Sequence, residues 1–134
     1  MVKSGYKFVN WNTQANGLGT DYAIGASIRP TAATTLYARW TSTITYDGNT
    51  NSSGAVPNST TAVSSAAVTN LAPNDGSSVT PNVPLAKTGF TFAGWNTKSD
   101  GTGVTYLPGD TYVLGASATL WAKWVATTYT VTYH

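Results

Sequence analysis

One stretch of this chain is written twice. Lys3–Trp40 and Lys87–Trp124 align without a gap at a constant separation of 84 positions (87 − 3). Lys3, Gly5, Phe8, Trp11, Asn12 and Thr13 match Lys87, Gly89, Phe92, Trp95, Asn96 and Thr97. Gly17, Gly19, Tyr22 and Gly25 match Gly101, Gly103, Tyr106 and Gly109, and Leu36, Ala38 and Trp40 match Leu120, Ala122 and Trp124. Internal repetition constrains a fold more than composition does, because each copy must solve the same packing problem. The chain therefore reads as a small array of modules.

The segment between the copies fixes the phase of the array. Thr43-Ile44-Thr45-Tyr46 follows the first copy, and Thr130-Val131-Thr132-Tyr133 follows the second. Trp40 to Ile44 is four positions and Trp124 to Val131 is seven, so the second joint is three residues longer. Residues 1–40 then read as the C-terminal half of a repeat, 41–124 as a complete repeat, and 125–134 as the first strand of a following one. Met1 falls near the middle of a unit, so the chain reads as a piece of a longer protein.

Within each copy the pattern is that of strands and tight turns. Tyr6–Trp11 mixes aromatic and β-branched residues at period two. Phe8 and Trp11 share a face only if a bulge near Asn10 re-aims the tryptophan, and the second copy has a glycine, Gly94, at that place. Asn16-Gly17 and Asp100-Gly101 carry the signature of a hairpin turn. In Thr35–Trp40 and Thr119–Trp124, alternation puts Leu, Ala and Trp on one face. Tyr37 with Arg39, and Trp121 with Lys123, fall on the other. The first set is expected to face a core and the second a partner. The segment Thr61–Leu71 fits a short helix or a strand equally well.

The strings GFTFAGWNTKSDGTG at Gly89–Gly103 and TLWAKW at Thr119–Trp124, with TITYDGN at Thr43–Asn49, resemble the Listeria–Bacteroides repeat family. The resemblance covers nearly the whole chain. It implies tandem small modules that are mainly β with an α+β tendency, β-grasp-like (ubiquitin-like), with at most one short helix each; the alternative is an all-β fold. It also implies a secreted or cell-surface bacterial parent, and adhesion, protein interaction or spacing as the role. The expected motif core is Phe8, Trp11, Leu36 and Trp40, repeated as Phe92, Trp95, Leu120 and Trp124. The expected partner contacts are Tyr37, Arg39, Trp121 and Lys123.

Composition narrows the chemistry. The seven basic residues are scattered and the net charge is +2, which argues against a nucleic-acid partner. Without cysteine there is no disulfide framework and no thiol chemistry. The only histidine is His134, so no Ser-His-Asp arrangement is expected. Asp47, Asn49 and Asn51 are spaced like the start of a calcium loop, but no acid closes it. No cofactor, no metal and no membrane insertion are expected. The expected partners are other repeats of the parent chain and a host or cell-wall protein or glycan. A carbohydrate-binding module using Tyr37 and Trp121 is the alternative function. Finally, residues 128–133 are expected to complete the sheet of the 1–40 half, by folding back or by donation to a neighbouring molecule.

Overall fold

The computed structural model describes residues 1–63, 67–68, 71–79 and 83–133. Nine strands follow in chain order: β1 (Lys7–Asn12), β2 (Asp21–Tyr22), β3 (Tyr37–Asp47), β4 (Thr60–Val63), β5 (Ala67–Val68), β6 (Phe90–Asn96), β7 (Thr105–Tyr106), β8 (Tyr112–Val113) and β9 (Ala118–Ala126). Seven of them form one mixed sheet in the order β2-β1-β3-β9-β6-β7, with β4 also on β3; β5 and β8 make a separate two-stranded ribbon. The described residues contain no helix, so the fold is mainly β and agrees with the all-β alternative. The ambiguous stretch after Thr60 enters as β4 and β5. There Thr60, Thr61, Val63 and Val68 follow the preference of β-branched side chains for a pleated surface. Residues 64–66 and 69–70 of that stretch lie outside the described residues.

β3 joins the two copies. The sequence divides at Trp40, yet the strand runs unbroken from Tyr37 to Asp47. Thr41 is opposite Lys7 of β1 and also opposite Val63 of β4, while Ile44 is opposite Thr60 of β4 and Ala118 of β9. A strand has two edges, so β1 and β9 lie end to end along one edge and β4 along the other. The β3–β9 pair is parallel and the others are antiparallel. Further hydrogen bonds hold the joint. The Ser117 N–H donates to Gly5 O at 2.7 Å. The Ser42 hydroxyl, itself buried, donates to Gly115 O at 2.6 Å, and the Thr43 N–H donates to Ser117 Oγ at 3.0 Å.

The core occupies one face of the second unit. Ile44, Tyr46, Leu71, Leu85, Trp95, Leu114, Leu120 and Ala122 are buried together. Period two on β3 and β9 puts Ile44, Tyr46, Leu120 and Ala122 on this face. On β6 simple alternation would turn Trp95 away from Phe92. The bulge prevents this: Phe92 is opposite Trp124 and Trp95 opposite Ala122, with the register shifting between them. Gly94 sits at φ 121°, and a Cβ there would come within 2.7 Å of Tyr106 O. Only glycine takes that backbone freely. The first copy shifts register between Phe8 and Asn10 and likewise brings Trp11 opposite Ala38.

Candidate interaction face

The two copies present the same aromatic triad. In the second, the Phe92 ring lies edge-on to Trp95 at 5.1 Å and to Trp124 at 5.7 Å. In the first, Phe8 meets Trp11 at 5.3 Å and Trp40 at 5.4 Å, again edge-on. These are favoured offsets for aromatic rings. The copies differ in what lies over the rings.

Residues 43–86 cover the second triad. Tyr46 packs on Trp95 with ring centroids 4.7 Å apart. The Trp95 indole N–H donates to Ala72 O at 2.8 Å, and the Ala72 N–H donates to the Tyr46 hydroxyl at 3.2 Å. Burial pushes the Tyr46 phenol above its ordinary pKa, against the lowering effect of the Ala72 hydrogen bond. The Trp124 indole donates to Gly48 O at 2.9 Å, and the Asn49 amide donates to Ser99 O and Ala122 O at 2.7 and 3.0 Å. The Asp47–Asn51 loop is therefore a brace. Asp47 accepts from the Asn49 N–H, and Asn51 donates to Ser53 O and Gly54 O. Among the described residues no cluster of His or acidic side chains could hold a metal ion.

Among the described residues the first triad has no such cover. Trp95 is fully buried, whereas Phe8, Trp11, Leu36 and Trp40 are only partly buried. Neither the Trp11 nor the Trp40 indole nitrogen finds an acceptor among the described residues. The backbone differs in the same sense. β8 pairs with β5, and the start of β9 pairs with β3. The first-copy counterparts of those two segments, residues 28–29 and 34–36, form no strand. The same repeat motif thus carries a cover in the second copy that the first lacks among the described residues.

Both copies hold their hairpin loops with a buried asparagine, a role the sequence reading did not assign. The Asn96 amide donates to Gly101 O, Gly103 O and Thr105 Oγ1 at 3.3, 3.0 and 2.9 Å. Its carbonyl accepts from the Lys98 and Gly103 N–H groups at 2.9 and 3.1 Å. Asn12 repeats this with Gly17 O, Gly19 O, and the Gln14 and Gly19 N–H groups. The recurrence of Asn two residues before the loop, with Gly seven residues on, was the available signal.

The third partner of the asparagine differs between copies. Asn12 donates to Asp21 at 2.6 Å, and Arg39 pairs with the same carboxylate at 2.6 Å. The Asn12 bond, then Arg39, hold the Asp21 carboxyl below its ordinary pKa, with desolvation opposing them. A depressed carboxyl stabilises the fold above its ordinary pKa and loses that contribution as pH falls through the lowered value. In the second copy Thr105 and Lys123 stand at these places, 3.3 Å apart, and threonine does not titrate. The second hairpin has its own carboxyl held below the ordinary value, Asp100, by the Thr102 N–H and hydroxyl, so acidification is expected to reach the asparagine network itself only in the first hairpin. Following the Asn12 and Asn96 side-chain amide resonances checks this, and simultaneous movement of both would rule it out.

The repeat is also visible in comparison with known proteins. The sequence profile of the Listeria-Bacteroides repeat domain matches residues 1–39 and again 43–123. The chain belongs to this repeat family. Two relatives from Evansella cellulosilytica carry similar sequence. One, named "Putative Gly-rich membrane protein", is 34% identical over 146 residues, covering 99% of this chain and 15% of its own length. The other, named "Putative membrane protein", is 34% identical over 133 residues, covering 92% of this chain and 18% of its own. This chain thus spans less than a fifth of either relative. No solved structure matches it.

The four expected contact residues of this Listeria-Bacteroides repeat chain sit on the closing strands β3 and β9. Tyr37 is 42% exposed, but Arg39 is engaged with Asp21, and Trp121 and Lys123 are half-buried. Trp121 is opposite Asp47. Tyr37 lies ten residues further back along β3, roughly 33 Å at strand rise. The structure does not bring these four residues into one patch.

Proposed function

We propose that this chain is a non-catalytic repeat segment of a larger bacterial cell-envelope protein, acting as a spacer that can also present interaction surfaces. The observation that carries this reading is the shared strand β3. It continues one repeat's closing strand into the next repeat's opening strand and fixes their relative orientation. An array of repeats that projects a region away from its base gains a fixed neighbour contact from such a joint. The names of the two relatives and their much greater length support an envelope location in a long parent. The grasp-like reading is supported by the order β4-β3-β9-β6 with the parallel pair at its centre.

Solution scattering tests the spacer reading. Chains carrying this 41–124 unit in tandem through the shorter joint should lengthen by a constant increment per repeat. A radius that grows as for a flexible chain would overturn it. Tight, saturable capture of one host or wall protein by the purified chain would assign the adhesive role; no capture leaves spacing as the function.

A further inference from the structure

One cleft in the second repeat lies apart from the joint. It opens where the Asp47–Asn51 loop, the 97–104 loop and the turn before β6 meet, and its volume is about 200 Å³. Asn49, Lys87, Phe90, Asp100, Lys123 and Trp124 line it, and every one of them belongs to the 41–124 unit. Lys87 and Lys123 form no ion pair among the described residues. Lys87 Nζ donates to Thr50 Oγ1 at 2.7 Å and sits 4.8 Å from the centre of the Phe90 ring. Lys123 Nζ donates to Thr105 Oγ1 at 3.3 Å. These partners are neutral hydroxyls, and an ammonium group has further donors to give.

The first copy shows what such a cation does when an acid is at hand. Lys3, Tyr6, Arg39 and Trp40 are the counterparts of Lys87, Phe90, Lys123 and Trp124. There Arg39 is neutralised by Asp21, and Lys3 lies 3.9 Å over the Tyr6 ring. Thr105 replaces Asp21 in the second copy, so Lys123 has no built-in counter-ion. Lys87 and Lys123 outweigh the Asp100 carboxylate, and a concave site with one sign of charge in excess concentrates the other. We propose that this cleft binds a hydroxylated monoanion about the size of one sugar ring: a sugar carboxylate or a polyol phosphodiester. Its volume lies below the roughly 300–1,000 Å³ of pockets for drug-sized ligands, which limits the occupant to one such unit. Lys87 and Lys123 hold the charged group through charge-assisted hydrogen bonds. Asp100 and Asn49 accept from hydroxyls, the Asn49 amide being already fixed by Ser99 O and Ala122 O. The Trp124 indole N–H is taken by Gly48 O, so Trp124 contributes its apolar ring.

The test is a resonance titration of the 134-residue chain. Its amide and indole signals are followed while glucuronate, a glycerol phosphodiester or neutral glucose is added to millimolar concentration. At least one of the two anions is expected to move the signals of residues 98–101 and of the Trp124 indole, and glucose is not. Which anion binds identifies the source of the charged group. Lys123→Met and Lys87→Met keep most of each stem and should each weaken binding at least about tenfold, as loss of one charge-assisted hydrogen bond gives. Lys7→Met, on β1 and outside the cleft, should leave it unchanged. An unmoved Trp95 indole signal certifies that each variant keeps its fold. A chain that binds neither anion, that binds glucose as well as either, or that loses as much affinity on Lys7→Met as on Lys123→Met would overturn the proposal. The spacer role rests on β3 and would stand in each of those cases.

Discussion

Trp95→Ala is expected to destabilise the chain by about 3–5 kcal/mol, the range for deleting a large buried aromatic. The side chain is fully buried, so its removal leaves a cavity lined by Tyr46 and Phe92, whose rings lose their partner. It also strands Ala72 O, which accepts the indole N–H. At the entropy of unfolding of a domain this size, the thermal midpoint should fall by roughly 10–20 °C. The equivalent Trp11→Ala removes a half-buried ring whose indole has no acceptor among the described residues and should cost about 1–2 kcal/mol. Thermal unfolding of the two variants side by side is the check. Equal shifts would mean that the first triad is covered as fully as the second.

The second large effect is expected at Asn96. Asn96→Ala deletes five hydrogen bonds at once and leaves two carbonyls and two N–H groups of the 97–104 loop without their partner. A typical net hydrogen bond contributes about 1 kcal/mol, and a stranded buried group costs about 1–3. Water reaches part of this loop, so we expect about 2–4 kcal/mol in total. Asn96→Asp separates shape from donor chemistry. It keeps the size and the accepting oxygen, but turns a second oxygen toward Gly101 O and Gly103 O. It should be no better than alanine at neutral pH, and denaturant titration would show this. An Asn96→Asp chain as stable as the parent would mean that the amide donor contributes nothing.

Much of the sheet was legible because its determinants are local. The alternation in Thr119–Trp124 puts Leu120 and Ala122 on one face, and both are buried. The glycine at position 94 marked the bulge that turns Trp95 inward. Three features were not legible, and each depends on something distant in sequence. The asparagine networks require the loop to close before the amide has partners. The burial of a tryptophan depends on the segment laid over it, which is why identical motifs give a buried Trp95 and a half-buried Trp11. The continuity of β3 was hidden because the sequence repeat is counted from tryptophan to tryptophan, while the strand ignores that boundary. Arg39 read as a partner contact because Asp21, its ion-pair partner, is 18 residues away and has no acidic counterpart in the second copy.

The joint between the two repeats is stiff because a single strand runs through it. Across the short joint, bending would have to break the ladders that β1, β4 and β9 make with one strand. Torque on one repeat is therefore handed to the next.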